Sequence, residues 1–428
     1  MIKIKKVILL IVIVIVVFGI IDFFSQKYKS NQTIVSNEIP NNIGVQTHSR
    51  NGYIDVEAIR ENGFKIVRDD ILWSRVEKEK NKYDFKSNGY DSYNKQLKEN
   101  KIRPYYILSL SNKLYEKNNS VVTNEGRIAY TKFVGKTAYR YRGQNTLWEI
   151  WNEPNIDRFW SPAFTSVENY TRLVKAASSA IRKNDPSGII VAPALAGVED
   201  ISLYWLEETF KRGLLEHIDA ISVHPYRRTS PETVISDYEK VRNLISKYSD
   251  REIPIISGEW GYSTAPAFYG IQLNQLQQCQ YLVRMMLVNI SQGIPISIWY
   301  DWKNDGKDRQ SGEQNFGIRE FDSSIPKQAS IGVSTLAKTL SGYHFSKRIE
   351  INSKKDFLLE FISDDNDKGK IYVYWTQEVE HNFHFPNYIK GTARKVSMLG
   401  EVTSDFAVNN LPLKISGSPT YIILKEDK

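Results

Sequence analysis

Two glutamates stand where a carboxylate can do chemistry. Glu153 lies in Trp151-Asn152-Glu153-Pro154-Asn155, and Glu259 in Gly258-Glu259-Trp260. Each closes a short apolar run, and other runs close on residues of complementary type. These are Gln46-Thr47-His48, Arg68-Asp69-Asp70, His224-Pro225-Tyr226 and Trp299-Tyr300-Asp301-Trp302. Stability alone does not account for apolar runs that end so often in polar residues. Rings beside carboxylates suit a sugar, whose C–H faces stack on aromatics while its hydroxyls need charged hydrogen-bond partners. Blander roles compete with this one. A glutamate at a strand end is usually a surface carboxylate, Arg68 can neutralise a buried Glu149, and Trp151 and Trp260 can be core. A metal site from Asp69, Asp70, His48 and His224 lacks a close-spaced ligand pair, so no metal and no cofactor are expected.

Eight apolar runs must position these residues: Ile43–Gln46, Phe64–Arg68, Arg103–Leu108, Thr146–Trp151, Gly188–Ala192, Ile218–Val223, Pro254–Ser257 and Pro295–Trp299. Segments of helical pattern separate them. Residues Asp55–Arg60 are amphipathic and stop at Gly63. Between Ser166 and Lys183 the apolar residues step by three and four, until Asp185-Pro186-Ser187-Gly188 ends the pattern. Strands apolar throughout and alternating with helices give a parallel sheet covered on both faces. Eight units in about 300 residues predict an α/β fold, a (β/α)8 TIM barrel with its active site at the carboxyl ends of the strands. A doubly wound sheet is disfavoured because no Gly-rich phosphate turn follows the first strand. After about residue 345 the helices stop. Phe357–Ile362, Lys370–Trp375, Arg394–Leu399 and Thr420–Leu424 predict a small antiparallel β domain.

The run Trp148-Glu149-Ile150-Trp151-Asn152-Glu153-Pro154-Asn155 resembles the acid/base strand of glycoside hydrolase clan A, and Ile256-Ser257-Gly258-Glu259-Trp260-Gly261 resembles its nucleophile strand. Family 39 and family 5 features mix in Trp73…Tyr83-Asp84-Phe85…Asp91 and in Phe316-Gly317-Ile318…Pro326-Lys327-Gln328-Ala329. The likeness covers roughly residues 43–345. It implies a retaining mechanism, with Glu153 as acid and base and Glu259 as nucleophile. The two carboxyls then need unlike surroundings, and about 5–5.5 Å between them. Arg68 and Tyr226 would keep Glu259 ionised, and Asn152 would bond the sugar 2-hydroxyl. His224 matches the His on strand six and Trp299 the platform under the scissile sugar. His48 fits a first-strand His. Trp73 and Trp302 complete the expected substrate contacts.

The compartment follows from the leader. Lys3, Lys5 and Lys6 precede an unbroken apolar run, Val7–Ile21, which is the export pattern. The small residues that cleavage needs fit poorly at Ile21, Phe23 and Ser25, so residues 1–24 are expected to be a signal anchor and 25–42 a polar tether. Residues 43–344 would form the barrel and 345–428 the β domain. The chain would then be membrane-anchored with its catalytic domain outside the cytoplasm, or secreted if the leader is cleaved. Half of the formal charge of +8 sits in residues 1–30, so no nucleic-acid partner is expected. One Cys, Cys279, excludes a disulfide framework. The expected partner is a polysaccharide, bound by a monomer. The leading function is a retaining glycoside hydrolase cleaving β-linkages of an exopolysaccharide or cell-wall glycan. Its tryptophans, spread around the mouth, favour endo cleavage. An exo-acting β-glycosidase or β-xylosidase, a catalytically inactive carbohydrate-binding barrel and a metal-dependent hydrolase are the alternatives.

Overall fold

The structure, a computed structural model, describes residues 34 and 37–425, apart from residues 50–52, 163–165, 267–270, 272, 323, 352, 366–367 and 409–411. The apolar leader and most of the tether fall outside the described residues. No helix among the described residues is long and apolar enough to cross a membrane.

Eight parallel strands close a barrel: β1 (Ile43–Gln46), β2 (Ile66–Leu72), β3 (Arg103–Ser109), β4 (Leu147–Ile150), β5 (Ile189–Ala196), β6 (Ala220–His224), β7 (Ile255–Trp260) and β8 (Ser297–Trp299). Each coincides with a run read from the sequence, shifted by a residue or a few at its ends. Closure is direct, with Ile43, Gly44 and Val45 paired to Ser297, Ile298 and Trp299. Helices fall where the periodicity placed them. Val56–Glu61 starts at Asp55, whose side chain accepts from the Ala58 N–H, satisfying one of the orphan donors of the first turn. The helix Ser166–Asn184 buries Tyr170, Val174, Ala177 and Ile181 along one stripe. Cys279 is buried in the helix Gln275–Ser291.

The C-terminal part is an antiparallel sheet of six strands, with a separate two-stranded ribbon. Its strands are β9 (His344–Arg348), β10 (Asp356–Ile362), β11 (Ile371–Thr376), β13 (Thr392–Val396), β14 (Phe406–Ala407) and β16 (Thr420–Leu424). The ribbon pairs β12 (His381–Phe383) with β15 (Leu413–Ile415). Alternation along β10 sorts its side chains between two faces. Phe357, Leu359 and Phe361 join the same core as the barrel helices, while Leu358 faces a smaller cluster with Tyr372, Tyr374 and Phe383. Residues 37–428 accordingly form one compact unit.

A polar clamp adds to this seam. Arg284, from the helix after β7, donates Nε and Nη2 to Glu232 at 2.6 and 2.7 Å, and the indole N–H of Trp375 on β11 donates to the same carboxylate at 2.8 Å. All three side chains are buried.

Candidate active site

The carboxyl ends of the strands surround a cavity of about 210 Å³, lined by Gln46, His48, Asp70, Asn152, Glu153, Arg158, Phe159, Tyr226, Glu259, Tyr300, Glu313 and Phe316, among others. Beneath it lies a buried hub. Arg68, fully enclosed on β2, donates Nε to Glu149 (2.7 Å), Nη1 to Gln46 (2.9 Å) and to Glu259 (2.5 Å), and Nη2 to Asn152 (2.9 Å). One guanidinium thereby fixes residues from β1, β4 and β7, using the planar fork that suits it to bidentate work. The bland role of Arg68, neutralising Glu149, and the functional one, holding Glu259, are both present in one side chain. Tyr105 donates to the other Glu149 oxygen at 2.7 Å.

Glu259 is held at both oxygens, by Arg68 on Oε2 and by the Tyr226 hydroxyl on Oε1 at 3.0 Å. Burial pushes its carboxyl up, but His224 and Arg68 beside it, with the hydrogen bonds from Arg68 and Tyr226, outweigh burial and hold it below the usual carboxylate range. The residue before it is a glycine with little room around it. A Cβ on Gly258 would lie 1.9 Å from Ser222 Oγ and 3.1 Å from the Tyr105 hydroxyl, so any side chain there would displace the Ser222 hydroxyl on β6 and crowd Tyr105 on β3.

Glu153 has different neighbours. His224 Nδ1 lies 2.8 Å from its Oε1. On the other side of the ring, Arg68 Nη2 lies 3.3 Å from His224 Nε2. Glu153 Oε2 is left for the cavity. The backbone around it is strained: Trp151 at φ +71° and Glu153 at φ +44° both lie in the left-handed region that residues with side chains rarely adopt. Its surroundings hold it there. Trp151 donates its indole N–H to the Phe159 carbonyl (3.0 Å), and Asn155 exchanges two 2.9 Å bonds with the Ala196 backbone at the end of β5. The three side chains Glu153, His224 and Glu259 bring donor atoms within 4.8 Å of one another.

His48 lines the cavity and pairs with Asp305 at 3.0 Å, with Asp301 at 3.8 Å. Burial pulls its imidazole down, but the Asp305 hydrogen bond and the charges of Asp301, Asp305 and Asp69 outweigh burial and raise it to about 9. His48 therefore joins Asp301 and Asp305, not Asp69, Asp70 and His224 as the metal alternative required. The group of His48, Asp301 and Asp305 is one of three among the described residues able to hold a cation.

The tryptophans depart from expectation. Trp73, Trp299 and Trp302 are all buried and none lines the cavity. Trp73 sits among Tyr115, Tyr130 and Phe133 and donates to Glu77 at 2.6 Å. Trp302 is capped by Phe64 and by the Arg319 guanidinium. Trp299 packs on Tyr262. The ring in the place expected of Trp299 belongs to its neighbour Tyr300, which lines the cavity edge-on to His48, Tyr226 and Phe316. Successive strand residues alternate in facing, so a displacement of one residue moves a platform into the core. Gln46, Asp70, Arg158, Phe159, Glu313 and Phe316 join the cavity without having been expected there. Gln46 and Asp70 stand in the strand-end runs; the others lie on connections, where no periodicity marks them.

The family model for cellulase (glycosyl hydrolase family 5) matches residues 27–306. The chain belongs to this family. It is a clan A glycoside hydrolase, and its clan relatives are retaining glycosidases. A family 39 glycoside hydrolase from Bacteroides cellulosilyticus WH2 superposes on the hydrolase with a TM-score of 0.76 at 21% identity, over 91% of this chain and 81% of that one. A family 39 β-xylosidase from Caulobacter crescentus gives 0.66 at 14%, over 92% and 98%. A family 30 endoxylanase from Clostridium papyrosolvens C71 gives 0.62 at 11%, over 92% and 98%. These likenesses extend through the C-terminal sheet and are likenesses of fold. A β-xylosidase from Geobacillus stearothermophilus is 26% identical over 140 residues, which span 28% of this chain and 27% of that protein.

Proposed function

We propose that the hydrolase cleaves β-glycosidic bonds of a glycan by double displacement, with Glu259 as nucleophile and Glu153 as general acid and base. The observation that carries this reading is the proximity of two carboxylates in unlike settings. Oxygens of Glu153 and Glu259 lie within 4.8 Å, close to the separation of about 5–5.5 Å used in retention and short of the roughly 6.5–9.5 Å that an inverting water needs.

In the first step a Glu259 oxygen bonds to the anomeric carbon as the bond to the leaving oxygen breaks, and Glu153 gives that oxygen its proton. Arg68 and Tyr226 keep the nucleophile ionised and oriented before attack, and receive its charge again when it leaves. In the second step Glu153, now a carboxylate, takes a proton from water, which attacks the same carbon and frees Glu259. His224 holds Glu153 Oε1 throughout, so the proton moves on Oε2. Asn152, fixed by Arg68, faces the cavity and is placed for a sugar hydroxyl.

Expected internal cleavage rested on a short connection after the first strand and on aromatic rings spread around the mouth, and the burial of Trp73, Trp299 and Trp302 withdraws support from the second. Names of relatives point to xylosides, so 4-nitrophenyl β-D-xyloside is the probe. A membrane tether through residues 1–24, with catalysis outside the cytoplasm, belongs to the same proposal and is tested by fractionating cells that express the full chain.

Glu259→Ala and Glu153→Ala should each lower kcat by about 10²–10⁴. Azide should rescue Glu259→Ala as the inverted glycosyl azide and Glu153→Ala as the retained one. Full activity in Glu259→Ala without azide, or an inverted product from the wild type, would overturn the proposal.

A further inference from the structure

We infer that Arg158 and Glu313 form a strap across the mouth of the cavity that biases cleavage toward the ends of glycan chains, an inference that rests on the hydrolase reading above. Arg158 lies in the connection after β4, and Glu313 in the single turn Gly312–Gln314 after β8. In the closed order of strands β4 and β8 are opposite one another, with three strands between them on either side. Both residues line the cavity, and their side chains meet at 3.5 Å. The ion pair therefore spans the mouth from one side to the other.

The two anchorages are fixed while the span between them is not. On the β8 side, Ser263 donates to the Gly312 carbonyl at 2.8 Å, and Asn315 donates to the Asp308 and Ser311 carbonyls at 2.7 Å each. On the β4 side, the Trp151 indole holds the Phe159 carbonyl, and the Arg158 guanidinium rests 5.5 Å from the Phe159 ring. The two charged side chains are 69% and 58% exposed. A chain end can enter the cavity beneath such a span. A glycan that continues in both directions has to cross it, which requires the pair to part. An exposed ion pair parts easily and is weakened by salt, so the strap biases the mode of attack and leaves the chemistry to Glu153 and Glu259.

The test compares chain scission of soluble β-1,4-xylan, followed by viscosity and product length, with hydrolysis of 4-nitrophenyl β-D-xyloside by the same preparation. Wild type should release short products from the outset. In Glu313→Gln and in Arg158→Gln the ratio of internal scission to aryl-xyloside hydrolysis should rise about fivefold, or about 1 kcal/mol, the size of an exposed ion pair. The exchanged pair Arg158→Glu with Glu313→Arg should restore the wild-type ratio. Salt near ~1 M should raise the ratio in wild type and leave Glu313→Gln unmoved. An unchanged ratio in both single variants, with the aryl xyloside still hydrolysed, overturns the strap and leaves the hydrolase reading standing. Wild-type protein that cuts xylan internally from the outset overturns the strap alone, whereas the hydrolase reading falls on the Glu259→Ala and product-configuration results given above.

Discussion

Replacing Arg68 with methionine separates two jobs that one side chain performs. Arg68 and Glu149 are fully buried, and Glu259 is mostly so. Removing the cation leaves Glu149 as an uncompensated buried charge, a loss of about 3–5 kcal/mol. With an unfolding entropy near 2.1 cal/mol/K per residue, the compact unit of roughly 390 residues has about 0.8 kcal/mol/K at Tm, so the loss corresponds to a fall of about 4–6 °C. Activity should fall as well, because Glu259 loses the partner on Oε2. The double variant Arg68→Met with Glu149→Gln removes the stranded charge, and most of the lost Tm should return. Activity should not return, since Glu259 remains without its guanidinium. Scanning calorimetry and turnover of 4-nitrophenyl β-D-xyloside read the two quantities separately. A double variant that regains both, or a single variant as stable as wild type, would refute the division of labour.

Two further outcomes follow from the placement of the rings and of His48. Tyr300→Ala should lower kcat/KM about fivefold, matching a stacking contact of about 1 kcal/mol, with Tm close to wild type, whereas Trp73→Ala should cost about 3–5 kcal/mol of stability; equal Tm losses would contradict the assignment of Tyr300 to the cavity and Trp73 to the core. The imidazole of His48 is raised from 6.5 to about 9, so the stability it adds is complete below pH 6.5 and is lost as pH climbs through 9. That shift corresponds to about 3 kcal/mol; wild-type Tm should therefore fall more steeply than that of His48→Asn between these limits, and parallel curves would refute the ion pair with Asp305.

The barrel was legible because its strands are apolar on both faces and end in polar residues, a pattern that a parallel sheet wrapped in helices imposes on its strands. Glu153, Glu259, Asn152, His224 and Tyr226 converge for the same reason. The tryptophans were not legible. An indole beside a carboxylate is written identically whether it stacks on sugar or fills the space behind the carboxylate, and only the register of β8 distinguishes Trp299 from Tyr300. Arg158 and Glu313 are invisible for another reason: their meeting depends on how two long connections fold, which neither period nor composition encodes. In the C-terminal part, β9, β14 and β15 escaped notice. They are short, and β9 is largely exposed and basic (His344-Phe345-Ser346-Lys347-Arg348), the composition of an edge strand guarded against further pairing.

The clamp of Arg284, Glu232 and Trp375 bears on how this protein can be rebuilt. Carbohydrate-active barrels are often imagined as engines to which accessory modules are bolted and unbolted. Here an indole from the sheet satisfies a carboxylate that belongs to the barrel. A graft that replaced the sheet with one lacking that donor would leave Glu232 one hydrogen bond short inside a dry seam, a penalty of about 1–3 kcal/mol before any apolar surface is counted. Barrel and sheet are thus coupled through a single carboxylate, and a donor in the place of Trp375 is what any replacement sheet has to supply.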